Sequence, residues 1–402
     1  MYKKRTLTKT LLEYSDSFKV ILVTGFRQVG KTTFLKDSAK ANRKYVSLDD
    51  PQDLLKAKTD PKGFLLTYSP PVIIDEIQYA PEIFKYIKIL VDSYDKRGQI
   101  WLTGSQQFNM MQGVTESLAG RVVIMNMLGF SIYERFEKGD LQKPFLPTKN
   151  LTTKLKYKSP KETFSIIWKG SFPDIIEKNS KERTGFYDSY IKTYLERDVR
   201  QIVNVGDEIA FITFLKVIAA RTGQELNLTD IAKDVSISVN TAKNWLSILQ
   251  ISGLVFLLQP YFKNVTKRFI KTPKLYFTDT GLASYLAGWT TPESLEVGIS
   301  SGAFFETFVI SEILKSYYHN GITPNFYYYR DSNNNEIDLL IHQDGKFYPI
   351  EIKKTSTPKE IDIKSFKVLS EIEEVAYGSL ICLTDKPKPL NENVTAISIW
   401  DI

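Results

Sequence analysis

The stretch Lys19–Lys40, KVILVTGFRQVGKTTFLKDSAK, decides how the N-terminal part of the chain folds. An apolar, β-branched run, Val20–Thr24, is followed by Gly25, four intervening residues, Gly30, Lys31 and Thr32, and then by a segment of helical composition. A short continuous apolar run bounded by glycine reads as a buried strand. Gly25 and Gly30 let the backbone curl until its N–H groups face one point, and the first turn of the following helix adds partial positive charge there. A loop of that kind cradles phosphate. The spacing is the P-loop pattern in the strand, loop, helix context it requires. Gly25, Gln28, Val29, Gly30, Lys31, Thr32 and Thr33 are then the expected nucleotide-binding residues, with ATP and Mg²⁺ as cofactors. Lys31 is expected to reach the terminal phosphates and the Thr32 hydroxyl to ligate Mg²⁺.

Outward from this loop, PPVIIDEIQYAP (Pro70–Pro81) supplies a β-branched strand ending in Asp75 and Glu76. Asp75 is expected to hold Mg²⁺ and Glu76 to orient or deprotonate an attacking water. That pair favours a hydrolase over a small-molecule kinase, which must exclude water. In GQIWLTGSQQF (Gly98–Phe108) a third strand runs into Ser105, a candidate sensor of the terminal phosphate, with Gln106 beside it. In ESLAGRVVIMNMLGFS (Glu116–Ser131), Arg121 precedes a further strand. Two readings of Arg121 stand: a transition-state cation, supplied in cis or by a neighbouring subunit of a homo-oligomer, or a structural surface residue.

At 402 residues the chain exceeds what one core usually organises. Its 43% hydrophobic and 25% charged content is that of a soluble globular protein. The basic start lacks an apolar h-region, and the runs Val20–Val23 and Leu254–Leu258 are too short to cross a bilayer, so a cytoplasmic protein without a membrane partner is expected. One cysteine, Cys382, excludes an internal disulfide, and two histidines, His319 and His342, disfavour a zinc centre. Any metal should be a hard ion on carboxylates. The net charge of +7 suits an anionic partner such as DNA or another nucleic acid. Its densest cluster, Lys138–Lys161, reads either as a solvated linker or as a phosphate-binding strip.

The motifs GFRQVGKTT, IIDEIQ, LTGSQQF, SLAGR and YLERDV, with a tail carrying GAFFETFVISEI, NEIDLLI and IEIKK, occur in an order that covers nearly the whole chain. In this the chain resembles prokaryotic AAA-type P-loop ATPases that join such a module to a C-terminal region of unknown function. The resemblance implies an ATPase and leaves its task open. It also aligns Arg197 and Arg200 with an arginine-aspartate element, implying contact with nucleotide or a neighbouring subunit; an ion pair with Asp198 is the alternative.

From Phe164 the pattern is helical, with Tyr187, Tyr190, Ile191, Tyr194 and Leu195 on one stripe. Two helices follow, one with Leu228, Ile231, Ala232 and Val235 on its apolar face, the next with Ala242, Trp245, Leu246 and Leu249. With the strands LVFLL and KLYFTD they spell a winged helix-turn-helix. Asn240, Lys243 and Asn244 would enter a major groove, helped by Lys263, Lys267 and Arg268 in the wing; a protein-packing lid is the other reading.

Near the C-terminus, helical spacing sets Glu306 with Val309, Ile310 and Ile313, opposite Thr307, Ser311 and Lys315. A carboxylate on an apolar face needs a partner. NEIDLLI and FYPIEIKK, joined by Asp344-Gly345, make a hairpin that brings Asp338 beside Glu351 and Lys353. Asp338 and Glu351 would hold Mg²⁺, with Lys353 lowering the pKa of a water and Glu306 extending the shell. The set resembles the PD-(D/E)xK restriction-endonuclease-like fold, with Ile337 where a proline is usual.

The expected class is α/β: a P-loop AAA-type ATPase domain (1–136), a basic linker and helical region (137–205), a winged helix (206–290) and a restriction-endonuclease-like α/β domain (291–402). Its alternative is a non-cleaving, ATP-dependent switch with an inactive nuclease-like domain.

Overall fold

The computed structural model describes residues 2–93, 95–104, 113–114, 116–151, 155–194, 208–263 and 272–402. They form two units, one holding the residues up to Gln142 with Ile251–Gly253 and Tyr318–Ile322, the other the remainder. Among the described residues no helix is long and apolar enough to cross a membrane.

The N-terminal unit is built on strands β1 (Val20–Thr24), β2 (Lys44–Ser47), β3 (Val72–Asp75), β4 (Ile100–Gly104) and β5 (Val122–Asn126), in the order β2-β3-β4-β1-β5. Every pairing is parallel. β1, β3 and β4 are buried along their whole length, which is why their sequences read as unbroken apolar runs. Helices α1 (Lys31–Ser38) and α2 (Ile83–Ser93) follow β1 and β3. α2 turns Ile83, Phe84, Ile87 and Val91 into a core shared with Leu22, Ile74 and Leu102. Each such side chain contributes roughly 1.5–3 kcal/mol of burial.

A second polar feature of this unit is wholly buried. Glu134 Oε1 accepts from Thr6 N at 2.8 Å and Oε2 from Ser131 N at 3.0 Å. Arg5 Nη1 lies 3.5 Å and His319 Nδ1 3.3 Å from its oxygens. Burial alone would raise the Glu134 pKa, but Arg5 and His319 overcome it and hold the acid down at about 2.

The C-terminal unit contains α3 (Glu208–Ala220), β6 (Gln224–Glu225), α4 (Leu228–Val235), α5 (Val239–Ile251), β7 (Val255–Pro260) and β8 (Lys274–Phe277). Asn227 caps α4 by accepting from Thr229 N and Asp230 N, and Ser236, in the left-handed region, closes it before α5 begins. Ile231, Ala232, Val235, Ala242, Trp245, Leu246 and Leu249 are buried, as the periodicity predicts, while Asn240, Lys243 and Asn244 are exposed. Lys267 and Arg268 lie outside the described residues, as do Leu195, Arg197, Asp198 and Arg200. Tyr187 and Tyr190 are buried on the helix Ser180–Tyr194. Within the basic stretch, Lys158 pairs with Glu162 at 3.2 Å and Lys161 with Glu293 at 3.5 Å.

Helix α6 (Ser301–Tyr318) leads into β9 (Phe326–Arg330), β10 (Glu336–Gln343), β11 (Lys346–Ile352), β12 (Gly378–Cys382), β13 (Lys388–Asn391) and β14 (Val394–Ser398). The predicted hairpin forms: β10 and β11 pair antiparallel in the register Gln343↔Lys346 and Leu339↔Ile350, with Asp344 and Gly345 both at positive φ in the turn.

One strand pairing runs across the expected boundary at 290/291: β7 and β9 pair in parallel (Gln259↔Tyr327, Pro260↔Tyr328) and join all strands from β6 to β14 into one nine-stranded sheet. The two-sided reading of α6 changes: Thr307, Ser311 and Lys315 are buried like the apolar residues opposite them. Their polar groups are satisfied within the unit, Ser311 Oγ by Thr278 O at 2.8 Å and Lys315 Nζ by Glu312 at 2.8 Å. Periodicity marks a polar face but not whether the fold covers it.

Two candidate functional sites

Parallel pairing brings the C-terminal ends of β1, β3, β4 and β5 to one edge, through Thr24↔Gly104 and Thr24↔Asn126. Open α/β sheets bind ligands at that edge. The loop leaving β1 has φ of 153° at Gly25, 63° at Gln28 and 90° at Gly30. A Cβ at position 25 would lie 2.1 Å from Met127 O, so only glycine fits there. Gly30, in the left-handed region, opens α1. Lys31 is buried, and its Nζ donates to Gly25 O at 2.9 Å and Phe26 O at 3.0 Å. Val29 is buried and Thr33 exposed.

Asp75, at the end of β3, collects three hydroxyls. Thr32 Oγ1 donates to it at 2.8 and 3.0 Å, Tyr45 OH at 2.9 Å, and Thr103 Oγ1 closely. Glu76 adopts φ 57°, its N–H donates to Thr103 Oγ1 at 3.2 Å, and its carboxylate accepts from Gln78 Nε2. The structure therefore brings Thr32, Asp75 and Glu76 to one place, with Lys31 buried at the start of α1 and bonded to the loop carbonyls. It adds Thr103 and Tyr45. β4 lies between β3 and β1 in the sheet, which is what puts Thr103 against Asp75. The adjacent hydroxyl and carboxylate oxygens of Thr32 and Asp75 are hard donors of the type Mg²⁺ takes, and a loop opening a helix N-terminus suits phosphate.

Ser105 and Gln106 lie outside the described residues. Arg121 is placed where a cis role fails. It precedes β5, and Arg121 O accepts from Val20 N at the opening of β1, so it sits at the opposite end of the sheet from the loop that leaves Thr24. Five residues of strand separate the two ends, roughly 16 Å. There it forms a two-pronged ion pair with Asp92 of α2, at 2.6 and 3.0 Å.

The second site is the carboxylate cluster of the C-terminal unit. Glu306 of α6 accepts from Tyr276 OH at 2.5 Å and from Lys274 Nζ at 3.2 Å. The same ammonium lies 2.5 Å from Glu336 and 3.6 Å from Asp338 of β10. The pairing of β10 with β9 slips between Ile337 and Leu340, so Asp338 stands at a bulge, where side chains are commonly re-aimed. Asp338 Oδ2 accepts from Ile352 N at 2.8 Å. Glu351 pairs with Lys353 at 2.6 Å through Oε1, while its buried Oε2 has no hydrogen-bond partner.

These acids are not independent. Burial and the Asp338 charge push Glu306 up to about 7, against the pull of Lys274. The same two causes push Glu351 up to about 8, against Lys353. Counting Glu225 and its partner Arg330, which also lies 3.9 Å from Glu336, five carboxylates face three cations. Hard-oxygen chemistry at Asp338 and Glu351 fits a divalent ion; the Glu306 side does not, because Lys274 already holds it. Among the described residues no group of three or more His, Cys, Asp or Glu is arranged to hold a metal. Sequence reasoning missed Lys274 and Tyr276; their alternation on KLYF was the available signal.

Residues 17–136 match the AAA domain family, residues 161–293 a domain of unknown function (DUF8612) and residues 301–402 a domain of unknown function (DUF4143). Uncharacterized protein Rv2008c of Mycobacterium tuberculosis is 29% identical over 385 residues, covering 94% of this chain and 79% of the relative. Uncharacterized protein Mb2031c of Mycobacterium bovis has the same identity and coverage. Among solved structures, the Walker-type ATPase PABY2304 of Pyrococcus abyssi is similar at TM-score 0.45 and 13% identity, over 71% of this chain and 96% of that one. The RuvB Holliday junction branch migration motor of Thermotoga maritima follows at TM-score 0.31 and 16% identity, over 66% and 93%. Both scores are too low for a shared whole-chain fold to follow. The family match and the loop geometry support an AAA-type P-loop domain over residues 17–136.

Proposed function

We propose that this protein binds ATP with Mg²⁺, hydrolyses it, and uses it to act on nucleic acid in the cytoplasm through a winged helix and a nuclease-like C-terminal module. The carrying observation is the junction of Thr32, Asp75 and Thr103, with Glu76 next in sequence. Lys31 and the loop N–H groups would bind the phosphates, Thr32 and Asp75 would hold Mg²⁺, which neutralises phosphate charge, and Glu76 would take the proton of the attacking water. Gln78 Nε2 donates to Oε2 of Glu76, a contact that would orient the carboxylate and leave its other oxygen for the water.

The order α3, β6, α4, α5, β7, β8, with the exposed set Asn240, Lys243, Asn244 and Lys263, supports the winged-helix reading. The hairpin carrying Asp338, Glu351 and Lys353, with Glu306 beside it, supports the nuclease-like one. A trans role for Arg121 in a homo-oligomer belongs to the same proposal. The test is ATP turnover measured alone and with single-stranded DNA, duplex DNA and RNA. Stimulation by one of them is the expected result; turnover indifferent to all three overturns the nucleic-acid assignment.

One observation favours a second reading, a non-cleaving switch: Lys274 already neutralises part of the acidic cluster. The two part on Glu76→Gln. A motor loses both turnover and function, whereas a switch held by ATP keeps its binding function.

A further inference from the structure

Lys274 is an unusual residue for a buried strand start. It is 4% exposed, and its ammonium contacts carboxylates from two elements, Glu306 on α6 and Glu336 and Asp338 on β10. Lys274 and Tyr276 stand two apart on β8, so they share one face, and both reach the same Glu306 oxygen. The arrangement is therefore built by the strand, not reached by a surface side chain.

Next to it is an unmet need. Glu351 Oε2 is buried without a partner on a residue only 5% exposed, and Asp338, the acid whose charge acts on both Glu306 and Glu351, is shared between the two halves of the cluster. A hard divalent ion needs carboxylate oxygens at about 2.0–2.6 Å, whereas Lys274 Nζ lies 3.6 Å from Asp338. Asp338 cannot serve both cations at full strength, and the two repel each other.

We propose that Lys274 is a built-in counter-ion of this cluster, and that a divalent metal ion taken up by Asp338 and Glu351 binds in competition with it. The inference rests on reading Asp338 and Glu351 as metal-binding carboxylates. It makes β8 a control element: while Lys274 engages Asp338 the metal is held weakly, and withdrawing the ammonium strengthens it. Lys274 is thus a positioning residue, acting on metal affinity through Asp338.

Mn²⁺ titration of the nucleotide-free full chain, followed by the paramagnetic signal of free ion, tests this without any cleavage assay. Lys274→Met should tighten binding about tenfold or more, as expected when an ammonium beside ligand carboxylates is removed. Lys274→Arg should restore the parent affinity, and adding Asp338→Asn to Lys274→Met should abolish the gain. Circular dichroism and melting confirm that each variant is folded. If Lys274→Met does not fold, the Lys274→Met/Glu306→Gln pair removes one charge of each sign and leaves Asp338 and Glu351 in place; the same gain is expected. A folded variant that binds Mn²⁺ no tighter than the parent overturns the competition, and leaves the metal reading standing if Glu351→Gln weakens the parent. If neither Glu351→Gln nor Asp338→Asn changes Mn²⁺ binding in any background, both the inference and the metal reading fall.

Discussion

Asp75 in the N-terminal unit and Glu306 in the C-terminal unit are both acids set against hydroxyl donors, yet their surroundings differ in kind. Asp75 accepts from Thr32, Tyr45 and Thr103, all neutral. Glu306 accepts from Tyr276 and Lys274, with Asp338 acting on it as a like charge. An acid ringed by hydroxyls can exchange one of them for a metal ion without breaking an ion pair. An acid among acids needs an internal cation to exist at all, and any incoming cation must contend with the resident one. The contrast separates an acid held by neutral donors alone from one held against like charges by a resident cation.

The sharpest way to break the comparison is at the N-terminal acids. Glu76→Gln should lower ATP turnover by about 10²–10⁴-fold while nucleotide binding persists, read as phosphate release against equilibrium binding. Retained turnover would remove the proton-taking role from Glu76. Thr103→Val should cost less, about 10- to 100-fold in the same assay, because one hydrogen bond to a charged group is lost while Thr32 and Tyr45 remain.

Stability against pH sharpens it further, because the buried acids of the two units carry opposite signs. Glu134 titrates lower when folded, about 2 against an ordinary 4.5, so its contribution is present above the unfolded value and is lost as pH falls through the folded one. Glu134→Gln should cost about 3 kcal/mol at neutral pH and flatten the acid limb of melting curves for the N-terminal unit. Glu306 and Glu351 titrate higher when folded, about 7 and about 8, so the C-terminal unit should lose stability as pH rises from about 4.5 towards 8, and Glu306→Gln should reduce that slope while Glu351 keeps the remainder. Parallel pH profiles from the two units would contradict the contrast. Smallest in effect, Lys243→Glu should weaken duplex DNA binding several-fold and reduce its salt slope by about 1, as for a single phosphate contact. Unchanged affinity and slope would discard the groove assignment of α5.

The phosphate loop was legible because its determinants are local: two glycines, a lysine and a threonine within the segment Gly25–Thr32 need no tertiary contact to be recognised. Asp75 and Glu76 were legible for the same reason, as acids ending an apolar run. Thr103 was not, since its contact with Asp75 depends on β4 lying between β3 and β1. The choice between the two readings of Arg121 needed strand direction; in a parallel sheet the residue before a strand lies at the end opposite the loop that follows its neighbour, which leaves the structural reading in place for the ion pair with Asp92. Glu306, Asp338, Glu351 and Lys353 were found from periodicity and a tight turn. Lys274 escaped because it lies 32 residues from Glu306 and becomes its partner only when the fold brings β8 against α6.

The parallel pairing of β7 with β9 has a practical bearing on handling the protein. A fragment beginning near residue 291 would keep β9 to β14 but lose the strand against which Phe326–Arg330 is laid. Its Tyr327 and Tyr328 would then stand on an open edge whose N–H and C=O groups invite pairing with another chain. Such a fragment should aggregate, which size-exclusion chromatography would read directly against the full chain.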